Sequence, residues 1–125
     1  MPISYTIDLQ RQLTRTRAWG VVTDDDLRAH VNALQADANN RVELDAIFDG
    51  SLIERLQVSA EGVRAAAQHL RPEPGIASGR MAMIAPPSKT AFGMGRMYEL
   101  LRADLEIGIF QSVAEAEAWL GLTEA

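Results

Sequence analysis

Cysteine is absent from the 125 residues, which excludes disulfides, thiolate metal sites and a cysteine nucleophile and suits a reducing compartment. No apolar run approaches the length of a bilayer crossing. The opening MPISYTIDLQ also has neither the basic region nor the continuous apolar core of a secretion signal. Positive charge is short as well: 12 Lys and Arg stand against 17 Asp and Glu, a formal charge of −5. General nucleic-acid binding, which draws its affinity from phosphate neutralisation, is therefore not expected. No low-complexity segment or internal repeat interrupts the chain, and no charge block is longer than Asp24-Asp25-Asp26. These absences predict one domain spanning 1–125 in the cytoplasm, with at most peripheral membrane contact. The length suffices to bury a single core without staples.

What is present is an alternation of strand and helix signals. Ile3, Tyr5, Ile7 and Leu9 alternate with polar residues, the period of a strand buried on one face, and a turn near Gln10 to Gln12 leads into a second strand, Leu13 to Val22. Thr23 followed by three aspartates opens a first helix with an apolar stripe of Leu27, Val31, Leu34 and Ala38, ended by Asn39-Asn40. Val42 to Asp49 reads as a third strand, broken by Asp49-Gly50-Ser51. Ser59 caps a second helix whose face is Val63, Ala66, Ala67 and Leu70, and Pro72 and Pro74 stop it. The run from Arg80 to Ala85 does not alternate, so it is expected to be buried on both faces as a central parallel strand. Pro86-Pro87 stops that strand. Ser88 caps a third helix with the stripe Ala91, Met94, Met97, Tyr98 and Leu101, Leu105 to Phe110 is a fifth strand, and Ser112 with Glu115 forms a capping box for the last helix.

The order ββαβαβαβα, with short connections, predicts an α/β fold: a mixed five-stranded sheet, strand one antiparallel at the edge and strands two to five parallel, with about four helices. Ligands of such sheets gather at the carboxyl ends of the strands. Those ends are the loops around Thr23, Asp49 to Ser59, Pro86 to Lys89, and Gln111. No nucleophile, metal cluster or phosphate loop sits where the fourth strand ends, so no catalytic residue, metal or cofactor is predicted.

Three segments, GVVTDDDL at the entry to the first helix, APPSKTAFGMGRMYELL after the fourth strand and IFQSVAEAEAWL at the end, make the chain resemble the SpoIIAA-like proteins of the STAS superfamily. The resemblance covers nearly the whole chain and is most specific in its last third. It implies a bacterial protein of mixed-sheet STAS fold. Anti-sigma-factor antagonists of this superfamily are switched by phosphorylation of a serine at the start of the second helix, a position that falls here on Ser59. The antagonists carry an Asp-Ser pair there, whereas this chain has Val58-Ser59 followed by Ala60-Glu61. The SpoIIAA-like branch also resembles CRAL-TRIO lipid-carrier domains, which implies apolar small ligands or membrane contact for some members.

Each candidate residue has an ordinary alternative. Ser59 is a regulatory candidate, since phosphate suits a helix N-terminus, although a plain N-cap accounts for it without a partner kinase. Phe92 lies off the stripe of the third helix beside Arg96, as at a partner interface, or else folds under the Pro86-Pro87 loop. Gly93 and Gly95 each cost about 1 kcal/mol against alanine in a helix, which calls for something close to the backbone there. Lys89 faces an anion at the helix start or is simply exposed. Met81, Met83, Met94 and Met97 form either an adaptable wall for an apolar ligand or ordinary core. Arg11, Arg15, Arg17 and Trp19 share one face of the second strand. His30 and His69 are expected to be partly buried structural residues.

The leading expectation is a non-enzymatic binding or regulatory module that forms a homodimer or meets a protein partner. A carrier of a small apolar or lipid-like ligand is the alternative, and a small enzyme using Lys89 or His30 is the remote one.

Overall fold

The computed structural model describes residues 2–41, 43–69, 79–102 and 105–122. The alternating start forms β1, Ile3–Asp8, and the chain reverses at residues 9–12 into β2, Leu13–Thr23. Gln12 takes the positive φ of 56° at this reversal, and the two strands pair antiparallel with Ile3 opposite Ala18. Helix α1, Asp24–Ala36, begins with a true capping box: Thr23 Oγ1 accepts from Asp26 N–H, and the Asp26 carboxylate accepts from Thr23 N–H at 2.9 Å. Next come β3, Asp45–Gln57, α2, Ala60–His69, β4, Met81–Ile84, and α3, Lys89–Leu101. The final pair is β5, Ile107–Phe110, and α4, Val113–Leu120, where Ser112 Oγ accepts from Glu115 N–H and donates to the Glu115 carboxylate.

The element order matches the sequence expectation. The sheet runs β1-β2-β3-β4-β5, with β1 antiparallel and the other four parallel. Because each parallel strand is added beside the last, right-handed crossovers put α1, α2 and α3 on one face. The other face receives α4, whose Ala116 and Leu120 pack on Leu13, Ile47, Ala82 and Ile84. Arg15 leaves solvent on that side to meet Glu117 of α4 at 3.4 Å.

Four expectations are corrected. The triplet Asp49-Gly50-Ser51 does not break the third strand; β3 runs through it and stays paired with β2 as far as Gln57, with register shifts near Gly20. Gly50 has turn chemistry in isolation, but here it is buried, and a Cβ would come within 3.0 Å of the Ile84 carbonyl oxygen. It is a close-approach glycine rather than a turn. Residues 49–57 are thus strand, and the loop at the end of the third strand shortens to Val58 and Ser59. Ala38 lies beyond the end of α1 and is exposed. Arg11 sits in the reversal before β2, so the basic strip on that strand is Arg15 and Arg17 only. The third strand begins at Asp45, later than expected, since Glu43 and Leu44 are still in the turn; Val42, Leu70 of the second helix, Pro72 and Pro74 lie outside the described residues, as does the side chain of His69.

Candidate functional site: an apolar cavity beneath α3

Parallel register aligns Thr16, Phe48, Met83 and Ile109 in one row across the sheet, on the face covered by α1 to α3. Phe48, Met83 and Ile109 form the floor of a cavity of about 140 Å³. Its roof is Leu27, His30 and Val31 from α1, Val63 and Ala66 from α2, and Ala91, Met94, Gly95 and Tyr98 from α3. Gly50, Ile53, Leu56 and Pro86 close the end nearest the carboxyl termini of β3 and β4.

The cavity explains a departure from the expected burial of β4. Ala82 and Ile84 are buried under α4, whereas Met81 and Met83 are only half-buried. Both faces of the strand are covered, but the helices on the Met side stand off the sheet. Met97 packs against the core cluster of Ala18, Val22 and Val63 and is not among the lining residues. Met81, Met83 and Met94 line the cavity, and Met94 also packs against the same core cluster as Met97.

His30 and Tyr98 are the ionisable residues of the lining, among the described residues. Burial pushes the His30 imidazole down to about 4, so it is neutral near pH 7. Its Nε2 lies 3.4 Å from Thr16 Oγ1, and its ring meets Tyr5 and Phe48 edge-on at centroid distances of 5.8 and 6.3 Å. The wall is therefore uncharged, made of aliphatic, thioether and aromatic groups. A second cavity of about 440 Å³ near the amino ends of the strands shares His30, Leu34, Phe48, Met81 and Tyr98 with the first.

Of the residues selected from sequence, His30, Met81, Met83, Met94 and Gly95 line the cavity, and a Cβ added at Gly95 would stand 3.4 Å from Ile109 Cδ1. Gly93 faces outward, and a Cβ there would meet nothing within 4 Å, so the expected close neighbour is absent at that position. Phe92 is 49% exposed and not folded under the proline loop. Lys89 is exposed, and Arg96 is ion-paired with Glu99 at 2.6 Å. Lys89, Phe92, Gly93 and Arg96 thus stand on the solvent side of α3. The sequence names His30 only as a remote catalytic candidate, and it does not single out Phe48 or Ile53, the latter because the expected break at Asp49-Gly50-Ser51 places it outside the strand.

Ser59 lies elsewhere, at the start of α2. Its Oγ accepts from Gly62 N–H at 3.0 Å and donates to Asp24 Oδ2 at 2.7 Å, while its N–H donates to Asp24 Oδ1 at 2.9 Å. These two bonds, the side-chain one larger, and then Arg28 hold the Asp24 carboxyl below its ordinary value of 3.8. The Asp24 carboxylate already stands against the N-terminus of α2, where a phosphate on Ser59 would meet like charge.

Gly62 makes room for that carboxylate, since an alanine Cβ would collide with Asp24 Oδ1. Gly62→Ala is expected to lower stability, although a helical Gly→Ala change ordinarily gains about 1 kcal/mol. In an Asp24→Ala background the same change should become stabilising. Urea denaturation of the four proteins of this cycle measures the reversal, and additive effects would contradict the geometry.

Among the described residues no group of three His, Cys, Asp or Glu side chains is placed to hold a metal ion, and no helix is long and apolar enough to cross a membrane. No protein-family model and no curated protein matches the sequence. Among solved structures, the chain is similar to an uncharacterized protein from the DUF3478 family with a SpoIIAA-like fold from Shewanella loihica PV-4. The match has a TM-score of 0.62 at 20% identity and covers 94% of this chain and 93% of the other. At that identity the likeness concerns architecture, and it agrees with the resemblance drawn from the three sequence segments: the chain has a SpoIIAA-like fold.

Proposed function

We propose that the protein is a non-enzymatic binding module that takes a small apolar molecule into the cavity between α3 and the sheet. The observation that carries this reading is the cavity itself, about 140 Å³ with an uncharged wall. Pockets that hold small molecules are concave and mostly apolar, with few polar groups. Catalysis would need acid, base or nucleophile held within reach of one another, and this lining offers a neutral imidazole and a phenol among the described residues. Ser59 remains the candidate for a regulatory role, against the charge of Asp24.

A cytoplasmic location belongs to the same reading and is supported by the lack of cysteine. Self-association or a protein partner belongs to it too, supported by the exposed cross-strand pair Trp19 and Leu52 and by Phe92.

Native mass spectrometry of gently purified protein tests the proposal. A small apolar adduct is expected on the wild type and not on Gly95→Met, whose side chain enters the cavity. An adduct retained by Gly95→Met at wild-type occupancy would place the ligand elsewhere. Absence of an adduct, together with no response to added apolar probes, would remove the proposal.

A further inference from the structure

We infer that the occupant of this cavity is a neutral molecule built on a single aromatic ring, and not an acyl chain or a lipid. This rests on the proposed binding function and narrows it. Size is the first argument: about 140 Å³ is close to the roughly 150 Å³ of an engineered apolar cavity known to stay dry and admit benzene. A long acyl chain needs several times that space. The neighbouring cavity, which shares His30, Leu34, Phe48, Met81 and Tyr98 with this one, is lined besides by Thr14, Asn40, Arg41 and Arg80, a polar surface unsuited to an acyl tail.

Charge is the second argument. No Lys, Arg, Asp or Glu lines the cavity among the described residues, so a fatty-acid carboxylate drawn inside would be desolvated without a partner. The His30 ring cannot serve as that partner while burial keeps it neutral.

Wall chemistry is the third. Beside aliphatic residues such as Leu27, Ile53 and Ile109, the thioethers of Met83 and Met94 lie on opposite sides of the space, on floor and roof. Phe48 on the floor and Tyr98 on the roof add aromatic rings. Sulfur favours the edge of an aromatic ring, and aromatic rings pack edge-to-face or offset, so an aromatic guest finds directional contacts that an alkyl guest does not use.

The test is a titration of the full chain, labelled with 13C at the methionine methyls, by toluene, p-cresol and dodecanoate. Toluene and p-cresol are expected to shift the Met83 and Met94 methyl resonances and to saturate, with dodecanoate at least tenfold weaker. Gly95→Met should abolish the toluene response. If that variant does not fold, Ala66→Leu enters the same space from α2 and serves instead. Dodecanoate binding as tightly as toluene at these methyls would overturn the aromatic assignment while leaving a binding function intact. No shift with any of the three would remove both.

Discussion

Acidification from pH 6.5 to pH 4 is expected to cost the protein about 3 kcal/mol of stability through His30 alone, from ~1.4 kcal/mol for each unit by which its pKa is depressed. The imidazole is buried by β1, β2, β3 and its own helix, where Tyr5, Thr16 and Phe48 face it without a carboxylate to stabilise the cation. Burial lowers its folded value to about 4, against an ordinary 6.5. Between those values the unfolded chain binds the proton and the folded one does not, so stability is complete above pH 6.5 and falls as pH drops towards 4. Carboxylates act in a lower window. Asp24, held down by Ser59, and Asp37, held down first by the Tyr5 hydroxyl at 2.7 Å, contribute stability that is present above 3.8 and lost as pH falls through their lowered values. Urea unfolding at half-unit pH steps separates the two. His30→Phe should flatten the limb between pH 6.5 and 4 and leave the limb below 3.8. A wild-type profile already flat in the upper window would mean that the imidazole is not buried as described.

Gly79→Ala is the substitution expected to damage the fold most among the described glycines. A Cβ there would collide with the Leu44 carbonyl and stand 2.7 Å from Asp45 N, so the obstacle is backbone at the very start of β3. That backbone is pinned. Asp45 Oδ1 accepts from Arg80 N–H at 2.8 Å, and Ala46 N–H donates to the Arg80 carbonyl at 2.9 Å, tying the first residues of β3 to β4. Overpacking ordinarily costs ~1–3 kcal/mol, and a clash with fixed backbone belongs at the top of that range. Against a typical domain stability of about 5–15 kcal/mol, the loss should be visible as a lowered urea midpoint at unchanged slope. Gly93→Ala, whose Cβ meets nothing within 4 Å, is the control expected to be neutral or stabilising. Equal effects at the two positions would contradict this packing.

Local patterns in the sequence carry part of this fold and not the rest. Element order and strand direction were legible, because period-2 and period-3.6 patterns and the caps at Thr23, Ser59, Ser88 and Ser112 are local properties. The run of Asp49-Gly50-Ser51 was not, since its turn chemistry is local while the reason for Gly50, the approach of the Ile84 carbonyl, comes from another strand. Gly93 and Gly95 are two residues apart in one helix and alike as letters. Which of them faces the sheet was decided by how α3 lies on it.

The cavity was visible only as a suspicion attached to methionines and glycines. Its volume depends on how far α1, α2 and α3 stand from the row Phe48, Met83, Ile109, and no pattern in one segment encodes that distance. His30 illustrates the same limit. At the flank of its helical stripe it reads as a structural residue, and its place in a cavity wall follows from how α1 lies over Thr16 and Phe48 of the sheet.

The most direct test of an apolar, ligand-ready space under α3 requires no knowledge of the ligand. Xenon enters dry apolar cavities of this size, and the methionine methyls report on it from known places. In 13C-methyl spectra recorded under xenon pressure, the resonances of Met81, Met83 and Met94, which line the cavity, should shift with saturation, while that of Met97, outside the lining, should stay in place. Stationary resonances at Met83 and Met94, or a shift confined to Met97, would contradict the account.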